Sequence, residues 1–103
     1  MFRFQRTGRV KNAQFFIEAV QWAKEITEYI NTKYPQVSLQ VYTEVFSDIH
    51  TIYWHADYKD LATLESVQSQ LMADQGYWAI VNKGMGCFME GTWKDILIRS
   101  LTS

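Results

Sequence analysis

The segment 37–57, VSLQVYTEVFSDIHTIYWHAD, decides the fold of this chain. Apolar and polar side chains alternate along both of its halves, residues 37–46 and 49–57, and both halves are rich in β-branched and aromatic residues. A period of two residues with this composition predicts two strands joined as a hairpin. Ser47 and Asp48, which lie between the halves, are the predicted turn.

This turn gives every residue of the first strand a predicted partner on the second. The pairs are Val45 with His50, Thr43 with Ile52, Val41 with Trp54 and Leu39 with Ala56. They form a mostly apolar face, which is expected to pack under helices. The opposite face carries the polar and aromatic residues Ser38, Gln40, Tyr42, Glu44, Thr51, Tyr53, His55 and Asp57. A face of this composition is predicted to line a pocket or to contact a partner. A turn one residue longer or shorter would exchange the two faces.

The hairpin is flanked by further strand and helix patterns. Phe2–Arg9 alternates as a strand, and Asn12 can cap an amphipathic helix that Pro35 ends. After the hairpin, we expect a helix that starts at Asp57 and a shorter one from Gly76 to Gly84. The first carries Leu61, Leu64, Val67 and Leu71. A last strand is predicted from Phe88 to about Leu101. The predicted order is βαββαβ in one α+β domain, residues 1–103.

Composition excludes several classes of function. The chain has 48% hydrophobic residues and a net charge of −1, so nothing in it attracts nucleic acid or an anionic membrane uniformly. No apolar run is long enough to span a bilayer. Four basic residues near the start form a mild stripe that is predicted to be a solvated edge: Arg3, Arg6, Arg9 and Lys11. Cys87 is the single cysteine and no secretion signal is recognised, so we expect a cytoplasmic protein.

The chain resembles a known superfamily. The βαββαβ order at about a hundred residues, the short helix with Tyr77 and Trp78, and the segment 90–95, EGTWKD, are similar to the dimeric α+β barrel proteins. That group includes the antibiotic-biosynthesis monooxygenase, NIPSNAP and stress-responsive types. The resemblance implies a ferredoxin-like fold with an antiparallel sheet and helices on one of its faces. It also implies a homodimer in which two sheets face each other across a two-fold axis.

Two motifs of the superfamily can be compared with this sequence. The resemblance to cofactor-independent quinol oxidisers implies an asparagine followed four residues later by a tryptophan, and this chain has Asp74 with Trp78. The tryptophan matches and the asparagine does not. Haem-degrading members need an asparagine on the first strand, where this chain has Gln5, and a histidine near the short helix, where it has none. We therefore expect no haem, and no other cofactor.

Each candidate site residue has a functional and a structural interpretation. His55 is the candidate general base on the polar face, or a hydrogen-bonded histidine inside a barrel. Asp74 is carried over as a second catalytic candidate. The predicted substrate-binding residues are Gln40, Tyr42, Tyr53, Tyr77 and Trp78, although an aromatic pair such as Tyr77 and Trp78 is more often part of a core. His50 and His55 point to opposite faces of one strand, so no metal site is expected. Cys87 is predicted to be a buried, inert thiol.

Two functions remain open. The first is a non-catalytic binding or stress-associated domain, whose polar sheet face forms the interface of a homodimer and leaves no cavity large enough for a substrate. The second is a cofactor-independent monooxygenase or isomerase that acts on a small aromatic or phenolic molecule held beside His55 and Trp78. A fold alone does not decide between them, because the same fold carries unrelated chemistries.

Overall fold

The computed structural model describes residues 1–46 and 50–102. Its strands are β1 (Phe2–Arg9), β2 (Leu39–Thr43), β3 (Thr51–Tyr58) and β4 (Lys94–Arg99), and its helices are α1 (Phe16–Lys33), α2 (Leu61–Met72) and α3 (Gln75–Gly84). Short 3-10 turns, Ala13–Phe15 and Met85–Cys87, precede α1 and follow α3. The predicted βαββαβ order is therefore confirmed, with the second crossover divided between α2 and α3. The turn predicted at Ser47 and Asp48 lies outside the described residues.

The four strands form one antiparallel sheet in the order β2-β3-β1-β4. In the hairpin, Leu39 pairs with Ala56, Val41 with Trp54 and Thr43 with Ile52, as the predicted turn position requires. The prediction for Val45 is wrong: β2 ends at Thr43, and Val45 is 80% exposed instead of packed under helices. Since paired residues point to the same side of a sheet, this register settles the composition of both faces.

Helices cover one face of this sheet, which we call the inner face. On β3, Ile52, Trp54, Ala56 and Tyr58 are all buried, and they alternate with the more exposed residues of the outer face. Trp54 meets Trp22 of α1 edge-on, with 5.9 Å between ring centroids. The core lies between the inner face and the helices, as expected for an antiparallel sheet with one covered face.

The outer face has no helix packed on it in the described part of the chain. Its residues, in strand order, are Gln40 and Tyr42 of β2, Thr51, Tyr53, His55 and Asp57 of β3, Arg3, Gln5, Thr7 and Arg9 of β1, and Lys94, Ile96 and Ile98 of β4. Tyr42 and Ile98 leave about half of their surface exposed, at 49% and 50%. The face is therefore polar with apolar and aromatic residues among its charges.

Several predicted boundaries are wrong, beginning with β2, which covers Leu39–Thr43 rather than residues 37–46. β3 continues to Tyr58, and α2 begins only at Leu61 because the Asp60 side chain caps its first turn by accepting from the Thr63 backbone N–H. β4 begins at Lys94 rather than Phe88. Phe88 makes only an isolated bridge to Val10. Before β4 begins, Gly91 adopts a left-handed φ of 76°, which interrupts the predicted strand.

Among the residues described, no helix is both long and apolar enough to cross a membrane.

Candidate functional site

A cavity of about 560 Å³ lies between the inner face of the sheet and the helices. We call it the inner cavity. Aromatic rings contribute much of its wall: Phe4, Trp22, Trp54, Tyr58, Tyr77, Trp78 and Trp93. Its volume falls in the range of small-molecule sites, which are about 300–1,000 Å³. The wall is therefore suited to a ligand with a flat apolar surface.

Hydrogen bonds hold three of the tryptophans that line the inner cavity. The indole Nε1 of Trp22 donates to the Ile80 carbonyl at 2.6 Å, and that of Trp78 donates to the Met72 carbonyl at 3.0 Å. Trp54 donates to the Thr27 hydroxyl at 3.2 Å. Because their polar atoms are satisfied within the protein, these rings offer mainly apolar surface to a ligand.

One ion pair lines the inner cavity. The Arg6 guanidinium donates through Nε and Nη2 to the two carboxylate oxygens of Asp95, at 2.8 and 2.9 Å. These hydrogen bonds raise the pKa of Arg6, with the Tyr77 hydroxyl adding to the effect. The guanidinium also lies over the Phe4 ring, 5.3 Å from its centroid. The cavity thus has a fixed charged group in an otherwise apolar wall.

The predicted basic stripe is not one surface, because Arg6 and Arg3 lie on opposite faces of the sheet, although the Arg6 side chain is still 39% exposed. Arg6 pairs across the sheet with Trp54 and therefore lies on the inner face, whereas Arg3 pairs with Asp57 on the outer face. Arg3 forms a matching two-bond ion pair with Asp57, at 2.8 and 3.0 Å. The alternation of β1 was the signal that could have separated the two arginines.

The structure places Tyr77 and Trp78 in the wall of the inner cavity. Their rings meet edge-on, 5.3 Å apart. Both residues lie near the start of α3, three and four residues after its capping residue Asp74. Their predicted position beside a pocket agrees with this geometry, and their binding role remains a prediction.

Asp74 is the buried capping residue of α3 and does not line the inner cavity. Its carboxylate accepts hydrogen bonds from the Tyr34 and Tyr29 hydroxyls at 2.7 and 2.8 Å and from the Tyr77 backbone N–H at 3.1 Å. Lys33 Nζ lies 3.0 Å away. These donors, led by Tyr34, hold the pKa of Asp74 well below its usual range. Such a carboxylate is a weak base, and its partners already occupy both oxygens.

Four other predicted site residues lie together on the outer face. The rings of Tyr42 and His55 are 5.2 Å apart, and the Tyr42 hydroxyl donates to the Gln40 side chain at 2.5 Å. The Tyr53 hydroxyl donates to Glu44. Burial, followed by the nearby charge of Arg3, lowers the pKa of His55. His55 is therefore kept mostly neutral near pH 7.

The sequence predicted that His55 and Trp78 line one pocket. This prediction is wrong. The sheet separates His55 on the outer face from Trp78, which lines the inner cavity. Sequence reasoning also missed several residues of that cavity, among them Arg6, Trp22, Tyr58 and Asp95. Trp22 and Tyr58 carried no signal beyond that of core residues.

Two further predictions concern metals and the thiol. Among the residues that the structure describes, no three His, Cys, Asp or Glu side chains come together as a metal site would require. Cys87 is buried, and this burial, together with Glu18, raises the pKa of its thiol. A raised pKa keeps the sulfur protonated and weakly nucleophilic.

Solved structures share this fold over almost the whole chain. An uncharacterised NIPSNAP domain protein from Burkholderia xenovorans is 16% identical, with a TM-score of 0.81 over 99% of this chain and 96% of its own. A NIPSNAP family protein from Agrobacterium tumefaciens is 11% identical, with a TM-score of 0.79 over 98% and 93%. SnoaB, a cofactor-independent oxygenase from Streptomyces nogalater, is 12% identical, with a TM-score of 0.71 over 99% and 94%.

These likenesses establish the fold and nothing finer. The chain has the ferredoxin-like α+β fold shared by NIPSNAP and antibiotic-biosynthesis monooxygenase proteins, which confirms the resemblance drawn from its sequence. No protein-family model matches the sequence, and a comparison with curated proteins finds no match.

Proposed function

We propose that this chain is a non-catalytic binding domain that takes up a small aromatic molecule in the inner cavity. The observation that carries this proposal is the cavity itself, about 560 Å³ in volume and walled by aromatic rings. In such a site, ring contacts and burial of apolar surface supply the affinity, and a few polar groups set the orientation of the ligand. The proposed ligand is the aromatic molecule predicted from the sequence, but the proposed site is the inner cavity on the helix side of the sheet.

We propose further that the protein is a homodimer, with the outer face as the interface. This face presents Tyr42, Ile96 and Ile98 beside complementary charges, and nothing else in the described chain covers it. A mixed polar and apolar sheet face of this kind is suited to pairing with a second copy. In that arrangement His55, Gln40 and Tyr53 are interface residues, and each protomer keeps its own inner cavity.

The non-catalytic function is preferred because the proposed base and the cavity are apart. His55 lies on the outer face, and Asp74 is held as a fully partnered carboxylate. The sequence-based form of this hypothesis expected no cavity large enough for a substrate, whereas the cavity on the inner face could hold one. A binding or stress-associated role in the cytoplasm fits the single, buried, unpaired Cys87.

A second candidate is a cofactor-independent monooxygenase or isomerase. Trp78, the matched half of the oxygenase motif, lines the inner cavity, where it could stack on a phenolic ring. The likeness in fold to SnoaB, described as a cofactor-independent oxygenase, adds to this candidate. In this mechanism Trp78 holds the substrate. Asp74 does not accept the proton, because its carboxylate is already hydrogen-bonded at both oxygens.

The binding function can be tested by titrating the protein with naphthalene. All four tryptophans of the chain line the inner cavity, so a bound ring should quench the intrinsic fluorescence and raise the melting temperature. Trp78→Ala should weaken binding, as measured by calorimetry, because it removes one wall of the site. Tyr53→Ala, on the outer face, is the control and should bind naphthalene as the wild type does. No quenching and no thermal shift at saturating naphthalene would reject the proposal.

A further inference from the structure

The wall of the inner cavity contains hydrogen-bond donors that the protein itself does not use. A guanidinium has five N–H groups; Arg6 gives two of them to Asp95 and has the Tyr77 hydroxyl beside it, so about two N–H groups remain for a ligand. Tyr58 and Trp93 also line the cavity, and neither the Tyr58 hydroxyl nor the Trp93 indole N–H has a hydrogen-bond partner within residues 1–46 and 50–102. Within the described chain, this wall therefore offers donors at Arg6, Tyr58 and Trp93, beside the Gln68 side-chain amide, which can both donate and accept.

These donors are accessible. In the described chain, every fully buried side-chain nitrogen or oxygen has a partner. The unpartnered hydroxyl of Tyr58, a residue with only 6% of its surface exposed, must therefore open onto accessible space, and Tyr58 borders the cavity. Arg6 keeps 39% of its side chain exposed. A ligand in the cavity can thus reach donors that would otherwise bind water.

The position of Arg6 is set before any ligand arrives. Asp95 holds it through two hydrogen bonds, and the Phe4 ring supports one face of the guanidinium. Donors that are already oriented lose little freedom when they bind an acceptor. Arg6 is therefore the best-placed donor in this wall to orient a ligand.

Asp95 also determines which acceptor fits. Its negative charge balances that of Arg6, and a ligand carboxylate that approached Arg6 would come close to the Asp95 carboxylate. Like charges at short range repel, so an anionic ligand gains little from this arginine. A neutral carbonyl oxygen accepts from the remaining N–H groups without that repulsion.

We propose that Arg6, held by Asp95, donates to an uncharged carbonyl oxygen of the aromatic ligand and so selects aryl ketones over both aromatic hydrocarbons and aromatic acids. This inference rests on the proposed binding function of the inner cavity. It adds a polar subsite and a ligand class to that function. Tyr58 and Trp93 offer further donors to the same ligand.

The test uses three flat ligands of nearly equal shape: methyl naphthyl ketone, isopropenylnaphthalene and naphthoate, all substituted at the same ring position. Wild-type protein should bind the ketone about tenfold more tightly than the hydrocarbon, since a hydrogen bond from a charged donor is worth that much. The ketone should also bind more tightly than the acid. Calorimetry or tryptophan quenching gives the three dissociation constants.

The variant Arg6→Met/Asp95→Leu removes both charges together, so that neither is left unpaired. It should lose the preference for the ketone and keep its affinity for the hydrocarbon. The matched control is Arg3→Met/Asp57→Leu, which removes the equivalent ion pair from the other face of the same strand. It should keep the preference.

Each outcome decides the proposal. Equal binding of ketone and hydrocarbon by the wild type overturns the role of Arg6 while leaving aromatic binding intact. Tightest binding of naphthoate overturns the requirement for an uncharged acceptor. A preference that survives in Arg6→Met/Asp95→Leu assigns the selection to other donors and overturns the subsite. Failure of all three ligands to bind rejects the proposed binding function, and this inference with it.

Discussion

The Tyr34 hydroxyl donates a 2.7 Å hydrogen bond to the buried carboxylate of Asp74 and so ties the end of α1 to the start of α3. The same carboxylate caps α3 through the backbone N–H of Tyr77. A residue that could be mistaken for a catalytic acid therefore positions the helix that carries Tyr77 and Trp78 into the cavity wall.

This linkage predicts a loss of stability in acid. The pKa of Asp74 in the folded protein is below its value of about 3.8 in the unfolded chain, so the stabilisation is present above that pH and is lost as the pH falls toward the folded pKa. In urea titrations between pH 7 and pH 2, Asp74→Asn should be less stable than wild type at pH 7 and should lose less stability in acid. The stability of Tyr34→Phe at pH 7, and its loss of stability in acid, should lie between those of wild type and Asp74→Asn. Identical acid profiles for wild type and Asp74→Asn would contradict this role.

Gly84 allows α3 to approach α1 closely. A Cβ atom at Gly84 would lie 2.2 Å from Trp22 Cγ, inside the indole ring that also bonds the Ile80 carbonyl. Gly84→Ala should therefore cost about 1–3 kcal/mol in the free energy of unfolding, measured by denaturant titration, since the core must shift to admit a methyl group. Gly86→Ala is the control, because nothing lies within 4 Å of the position that its methyl group would take, and it should change stability by less than about 1 kcal/mol. Equal effects of the two substitutions would show that Trp22 and α3 are not in close contact.

The proposed homodimer can be tested by measuring the mass of the protein in solution. Light scattering at micromolar concentration should give twice the 12.1 kDa of one chain. Tyr42→Asp places a charge on the outer face beside another protomer and should shift the protein toward monomer. Ile17→Asp places the same charge on an exposed apolar residue of α1, which is 71% exposed and lies away from the outer face, and should leave the mass unchanged. A wild-type mass near that of one chain would reject the homodimer.

A measurement of oxygen uptake separates the two proposed functions. With quinols and other phenols, and without added metal or flavin, the binding function predicts no uptake above background. Under the oxygenase candidate we expect turnover that falls in Trp78→Phe, because that ring borders the cavity, and persists in His55→Ala, because the sheet separates His55 from it. Turnover that disappears in His55→Ala, in a variant that still dimerises, would instead place the chemistry on the outer face.

The sequence by itself determined the elements that depend on near neighbours. Alternation through segment 37–57, together with a turn assumed at residues 47–48, predicted the pairing of Val41 with Trp54 and the faces of the paired residues, because successive side chains of a strand must point to opposite sides. Asn12 caps the turn that leads into α1, as its side-chain chemistry predicted. The order of these elements was enough to indicate the superfamily fold.

Only the tertiary structure decided where the cavity lies and which residues share it. Arg6 and Asp95 are 89 residues apart, and Trp22 and the Ile80 carbonyl are 58 apart. No local period relates such positions, since their contact depends on how closely the helices approach the sheet. The sequence pattern could therefore place His55 and Trp78 each on its own element, but the side of the sheet on which α3 packs is set by long-range packing, and that packing separates the two residues.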